Sequence, residues 1–338
     1  MQNFDLIGRL AEPLAIGPVK IPNRVLLAPM SGISDRPFRE LARDFGAGLV
    51  VSEMTAGDKL AAGDAEALLR AERAGDGLHV VQLAGREAKW MAEGARAAAD
   101  AGAGIIDINR GCPAKKVTGG YSGSALMRDP DHALTLIEAT VSATTLPVTL
   151  KMRLGWDEAT INAPALARRA EAAGVRMITV HGRTRCQFYN GAADWAAIRA
   201  VKDAISIPLI ANGDLVDFSE AATMLERSGA DGLMIGRGAC GQPWFPGALA
   251  VFAKTGEVRE APSGSDLAEL VRRHYEAMLG HYGVAIGLRA ARKHLGWYFD
   301  RARAPAALRQ AILVEDWPSE VLRLIGAALG ETSLRRAA

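Results

Sequence analysis

Eight short apolar runs, many of them β-branched and each closed by polar residues or glycine, recur between Arg24 and Gly238. They begin at Arg24 (RVLLAPM), Leu49 (LVVSEM), His79 (HVVQLAG), Ile105 (IIDINRG), Pro147 (PVTLKMR), Met177 (MITVHGR), Pro208 (PLIANGD) and Gly232 (GLMIGRG). Between them lie alanine-rich segments of helical period, among them Glu87–Ala101, Asp131–Ala143, Ala163–Ala173 and Ser219–Arg227. Several of these segments stop at glycines, Gly46, Gly102, Gly174 and Gly229, which suit helix C-termini. A continuous apolar run marks a strand buried on both faces. Eight such strands alternating with helices predict a closed parallel (β/α)8 TIM barrel. A doubly wound open sheet is the competing arrangement. No GxGxxG joins the first strand to its helix, which counts against the dinucleotide-binding form of that sheet.

The alternation stops near Trp244, and the turn-rich stretch GEVREAPSGS at 256–265 follows. Helical periodicity then returns without strands, over Asp266–His281, Ile286–Asp300, Pro305–Val314 and Ser319–Leu329. The expected organisation is therefore a catalytic barrel over 1–250, a linker over 251–265 and an all-helical bundle over 266–338.

With 49% hydrophobic and 23% charged residues among 338, the chain is an ordinary globular protein with no room for extensive disorder. Its start lacks the apolar segment of a signal peptide, and no uncharged run is long enough to span a membrane, so a cytoplasmic protein without a membrane partner is expected. Cys112, Cys186 and Cys240 are far apart and lack metal-ligand spacing, so reduced thiols and no metal are expected. A net charge of +2 neither requires nor excludes a nucleic-acid partner.

Barrels place their chemistry at the C-terminal ends of the strands. Those ends carry Pro29-Met30-Ser31, Glu53, Gln82, Asn109 with Cys112, Lys151 with Arg153, His181 with Arg183, Asn212-Gly213-Asp214 and Gly236-Arg237-Gly238. Polar, hydrogen-bonding or glycine residues at eight successive ends are hard to explain as scaffold. Gly213, Gly236 and Gly238, with Arg237, suit close backbone approach to a phosphate, which barrels often bind after the last two strands. Cys112 sits just past its strand, where the chain meets solvent, and reads as a reactive thiol; Cys186 and Cys240 read as packing.

The stretches LAPMSGISDRPFR, VSEM, VQLAG, DINRGCPAKKV, GSAL, VTLKMR, VHGRT, IANGD and MIGRGACGQPW, in this order, resemble the tRNA-dihydrouridine synthases. The likeness is greatest to the bacterial DusB-type branch and runs from Asn23 into the C-terminal GLRAARKHLGWY. It implies an FMN-dependent enzyme, driven by NADPH or NADH, that reduces the C5=C6 bond of particular tRNA uridines. It also implies that Pro29, Met30 and Ser31 line the flavin ring, and that Gln82 and Lys151 bond to its polar edge. By the same likeness Asn212, Gly213, Asp214, Gly236 and Arg237, assisted by His181, hold the ribityl chain and phosphate. Cys112 corresponds to the proton donor of the family.

Substrate contacts are expected from Asn109, Lys115, Lys116, Arg153 and Arg183, and from a basic face of the bundle's second helix, Arg289, Arg292 and Lys293. A cation beside a thiol favours the thiolate, so the ammonium groups of Lys115 and Lys116 are expected to point away from Cys112, toward RNA phosphate. From Asp266 onward there are eleven basic against eight acidic residues, so the basic face is equally readable as a solvated helix surface. Two other classes compete: a flavin barrel acting on a small pyrimidine, and a non-enzymic regulator. A monomer is expected.

Overall fold

The computed structural model describes residues 2–330, except that the side chains of residues 2–4 and of Lys115 and Lys116 lie outside the described set. A short antiparallel hairpin, β1 (Leu14–Ile16) and β2 (Val19–Ile21), precedes the barrel. Around the barrel follow β3 (Val25–Leu27), β4 (Leu49–Val50), β5 (Met54–Ala56), β6 (Val80–Ala84), β7 (Ile105–Arg110), β8 (Val148–Arg153), β9 (Met177–His181), β10 (Leu209–Asn212) and β11 (Gly232–Ile235). Every neighbouring pair in the order β4-β3-β11-β10-β9-β8-β7-β6-β5 is parallel.

The sequence run Leu49–Met54, expected as one strand, is two. Its first half pairs with β3 and its second with β6. Between them the Ser52 N–H donates to the Val80 carbonyl, and Ser52 Oγ accepts the Gln82 N–H at 2.9 Å. A serine thus replaces one rung of the ladder and closes the barrel, while Glu53 turns to accept the Gly32 N–H.

Side chains alternate across each strand with a period of two, and this decides what reaches the interior. In β7, Ile106 and Ile108 join the core between strands and helices, while Ile105 joins a separate cluster inside the barrel. That inner cluster also holds Leu26, Val80, Met177, Ile210 and Met234, and Leu14, Ile16 and Ile21 of the hairpin close it from below. The same alternation sends Asp107 and Asn109 inward, above this apolar floor.

After β11 a helix over Phe245–Thr255 packs Phe245, Leu249, Ala250 and Ala253 into the barrel core. The barrel therefore extends past the expected boundary at 250, and the connecting segment is confined to 256–263. The C-terminal helices are Gly264–Tyr282, Val284–Arg301, Ala306–Val314 and Pro318–Leu329, with Pro305 as an N-cap. Their core includes Leu41 and Trp244 from the barrel, so the bundle is fastened to the barrel by shared apolar packing. No described helix is long and apolar enough to cross a membrane.

Candidate active site

A cavity of about 770 Å³ opens at the C-terminal ends of the strands. A chain of hydrogen bonds lies beneath it. Asp107 accepts from Thr149 Oγ1 and from Gln82 Nε2, both at 2.6 Å. Gln82 Oε1 in turn accepts from Asn109 Nδ2 at 2.8 Å. Burial raises the Asp107 carboxyl above its ordinary range against the pull of these donors. The network leaves Gln82 one N–H and one lone pair for a partner in the cavity.

Asn109 Oδ1 accepts the backbone N–H groups of Gly111 at 3.1 Å and Cys112 at 3.0 Å. The Cys112 carbonyl is held from the other side by Ser124, whose Oγ lies at 2.7 Å and backbone N at 3.2 Å. The cysteine backbone is thus pinned on both flanks, leaving its half-buried side chain on the cavity wall. Arg153 tightens the same loop by donating to the carbonyls of Gly111, Thr184 and Phe188 at 2.8–2.9 Å.

Lys151 lies across the floor and donates to Asn212 Oδ1 at 3.1 Å. Asn212 is oriented by its own bond to the Met234 carbonyl at 2.8 Å. Burial, reinforced by the charge of Arg153 and opposed by Asp107, lowers the Lys151 ammonium to about 8. His181 is pushed well below its ordinary value, first by burial and then by Lys151, Arg153, Arg183 and Arg237. Arg183 Nη1 lies 3.3 Å from His181 Nε2. An arginine only donates, so this ring nitrogen is the acceptor and the imidazole is neutral.

The far end of the cavity is formed after β10 and β11. Gly213 has φ +126°, and an added Cβ would come within 2.8 Å of the His181 ring. Gly238 is fixed by packing, since a Cβ there would strike the Leu215 carbonyl. A Cβ at Gly236 would meet Ala28, Met30 and Asn212 only at 3.8–4.0 Å. Gly236 thus leaves open a space that the protein does not itself fill. Arg237, 54% exposed, stands at the rim beside it.

A model of the dihydrouridine synthase (Dus) family matches residues 26–325. A probable tRNA-dihydrouridine synthase of Rhizobium leguminosarum bv. phaseoli is 58% identical over 94% of this chain and 98% of its own. The chain belongs to the dihydrouridine synthase family. A tRNA-dihydrouridine synthase B of Xanthomonas axonopodis pv. citri is 45% identical over 92% of this chain and 94% of its own. Among solved structures, histamine dehydrogenase from Rhizobium sp. 4-9 aligns with a TM-score of 0.58, covering 81% of this chain and 51% of its own at 14% identity. The old yellow enzyme homologue of Zymomonas mobilis aligns with a TM-score of 0.54, covering 74% and 94% at 16% identity. Both share the fold.

In this member of the family, Cys112 and all of the residues expected around a cofactor (Pro29, Met30, Ser31, Gln82, Lys151, His181, Asn212, Gly213, Asp214, Gly236 and Arg237) line one cavity. So do Asn109 and Arg153. Their donor set fits FMN. Gln82 and Lys151 offer donors to the polar edge of a flat ring, and the open space at Gly236 with Arg237 suits an anionic tail.

Two expectations need correction. Arg183 does not line the cavity. It is 1% exposed and gives its guanidinium to Asp214 in a bidentate pair, to His181 and to the carbonyls of Asn190 and Gly191. It braces the site from outside and has no donor left for RNA. The Asp214 carboxylate is correspondingly engaged: burial raises it, but the Arg183 bonds, the Ala193 N–H and the charge of Arg237 together hold it below the ordinary range. It also pairs with Arg237, 3.3 Å away at the cavity rim. The basic face of the bundle is also divided. Arg292 pairs with Asp316 at 2.7 Å, away from the cavity, whereas Lys293 Nζ lies beside Gly32 at the cavity rim, and Arg289 is exposed. The expected direction of the Lys115 and Lys116 ammonium groups lies outside the described residues.

Strand-end reasoning missed Phe188 and Tyr189, which line the cavity from the loop after β9. Tyr189 is 51% exposed, with the guanidinium of Arg237 at 4.5 Å over its ring. The aromatic pair in CQFYNG carries the only signal, and it lies too far past the strand to be counted as a strand end. Cys240 is half-buried, and burial raises its thiol to about 11, as suits a packing cysteine.

Proposed function

We propose that this cavity reduces a tRNA uridine with Cys112 as the proton donor and with Lys151 and Gln82 holding the cofactor ring. The activity is that of a tRNA-dihydrouridine synthase, an oxidoreductase that saturates the C5=C6 bond of uridines in tRNA. FMN held over Gln82 and Lys151 would supply, once reduced by NADPH, the hydride required at C6. The Lys151 ammonium stabilises negative charge at the polar edge of the ring, where a cation in a dry site acts strongly. Addition at C6 leaves an enolate, and Cys112 delivers a proton from Sγ to C5. Solvent returns that proton to the thiolate.

The reading rests on the single chain of bonds from Asp107 through Gln82 and Asn109 to the Cys112 N–H. It sets the thiol and the floor of the cavity in one rigid frame. Asn109 acts here as a positioning residue. Arg153 holds the loop through Nε and Nη1 and offers an Nη2 N–H to the uracil, and Arg289 and Lys293 face tRNA phosphate. The reaction takes place where tRNA and NADPH meet, in the cytoplasm.

A Cys112→Ala protein is expected to bind FMN and to be reduced by NADPH at the normal rate, yet to lose uridine reduction by about 10²-fold or more. Flavin absorbance and dihydrouridine content measured on the same preparation check this. Full turnover in that variant would remove the proton-donor role.

A further inference from the structure

Three loops at the mouth, those after β7, β8 and β9, are tied together by rings and guanidinium groups with no acidic residue between them. Arg185 lies over Phe188 at 4.5 Å and over Trp156 at 4.6 Å. Arg128 lies over the same indole at 4.1 Å and over Tyr121 at 5.4 Å. The result is a ladder, Phe188–Arg185–Trp156–Arg128–Tyr121, that begins on the cavity wall and ends on an exposed ring.

Two observations set this ladder apart. Its two cations share one indole, yet among the described residues neither forms an ion pair. The neighbouring acids are spent elsewhere. Asp129 caps the helix Pro130–Ser142 through the His132 N–H, and Asp157 accepts from Thr160. Two arginines held close together repel one another, and an anion between or above them relieves that repulsion. Further, Tyr121 and Phe188, at the two ends, have φ of +58° and +50°. Side-chain-bearing residues rarely adopt this region, so the backbone is held in a costly shape that presents both rings.

We propose that this ladder is a stacking platform for the unpaired nucleotides flanking the target uridine. An RNA base lies on the Tyr121 ring, and the adjoining phosphate sits on the Arg128 guanidinium. Arg185, locked between Trp156 and Phe188 and donating to Thr118 Oγ1 at 3.3 Å, sets the spacing of the rungs. Alternating rings and cations are the chemistry that grips single-stranded nucleic acid without reading its sequence. The position completes a grip on the substrate. The ladder's indole follows β8, the fifth of the eight barrel strands, and so stands across the mouth from the loop after β3, where Lys293 of the bundle reaches Gly32. A loop of tRNA thus spans the cavity from bundle to ladder with its uridine between. The proposal rests on the reading of this chain as a tRNA-modifying enzyme.

The test uses the FMN-loaded enzyme with unmodified tRNA transcript and three variants, Tyr121→Leu, Arg128→Gln and Arg128→Lys. Stacking of one base is worth about 1–3 kcal/mol, so Tyr121→Leu should raise the KM for tRNA by about 5- to 150-fold with kcat nearly unchanged. Arg128→Gln should also raise KM and should flatten the salt dependence of tRNA binding by about 0.7 in the log–log slope, whereas Arg128→Lys should keep that slope. Flavin content and NADPH oxidation in the absence of tRNA should stay at the wild-type level in all three, which a loop merely collapsed by the substitution would not predict. Unchanged KM and salt slope in both Tyr121→Leu and Arg128→Gln, with dihydrouridine still formed, would overturn the platform and leave the chemistry intact. A wild-type enzyme that binds tRNA through these residues but forms no dihydrouridine would instead overturn the reading of the cavity and leave the platform standing.

Discussion

Asn109 shows how completely one side chain can be committed to holding its neighbours. Both lone pairs of its carbonyl are taken by the Gly111 and Cys112 N–H groups, and one amide hydrogen by Gln82. Its importance was legible from its place at a strand end, but its direction was not: an asparagine facing substrate and one facing its own loop are identical in a sequence. Arg183 is the sharper case. A strand-end arginine beside a glycine-rich rim looks like a phosphate contact until the carboxylate of Asp214, supplied by the next strand, is seen to consume it. Lys151, in contrast, was legible from its strand end and does line the cavity, and its environment gives a pH dependence. Its ammonium is lowered to about 8, so the charged form, which on the proposed reading favours FMN, is present below that pH and is lost as pH rises through it. FMN affinity of the cofactor-free protein should therefore weaken above about pH 8, by at most tenfold per unit, and the trend should vanish in Lys151→Met. Fluorescence titration with FMN measures this; a flat affinity from pH 7 to 9.5 in the wild type would contradict it.

At the scale of elements, all eight barrel runs were visible, because strands buried on both faces are mostly apolar, with their polar residues gathered toward the ends that meet the cavity. The break in the second strand was not visible. Ser52 reads as an ordinary polar end, and only its bonds to β6 show that it stands in for a ladder rung. The hairpin of β1 and β2 was missed for a related reason, since three-residue strands fall below what alternation can reveal. The helix Phe245–Thr255 was overlooked because no strand follows it, although its contact with the barrel is close. Gly247 packs so tightly on the end of the helix Arg36–Asp44 that a Cβ would overlap the Phe45 carbonyl. Gly247→Ala should lower stability by about 2 kcal/mol through that overlap, while an alanine at the open Gly280 should cost nothing comparable. Denaturant unfolding of the two variants checks it, and equal stabilities would show that the two helices separate freely.

For the molecule as a whole, barrel and bundle meet through residues whose protonation matters. His274 and His294 face one another at 4.9 Å between ring centroids, and both lie against Phe38 of the barrel. Burial lowers His274 to about 3, and His294 is pushed well below its ordinary value by burial and by His274. An unfolded histidine titrates near 6.5, so the unfolded chain binds more protons than the folded one from about pH 6.5 down to 3. The stability these groups contribute is full above that range and is lost as pH falls through it. Asp35 opposes the trend, because burial raises its carboxyl to about 6 and its contribution returns on acidification. Between pH 7 and 5 the wild type should lose about 2 kcal/mol more than a His274→Gln variant. Equal losses would place the acid sensitivity elsewhere. The bundle itself was legible as helices but not as a partner of the barrel, since periodicity shows that a helix has an apolar face and not what covers it.

The central claim is that this chain forms dihydrouridine in tRNA with the thiol of Cys112 as proton donor. The most direct measurement is a site-resolved map of dihydrouridine in tRNA from cells lacking the protein, complemented with the wild type or with Cys112→Ala. Dihydrouridine should disappear from defined positions, return with the wild type and stay absent with the variant. A map unchanged by loss of the protein, or restored in full by Cys112→Ala, would contradict it.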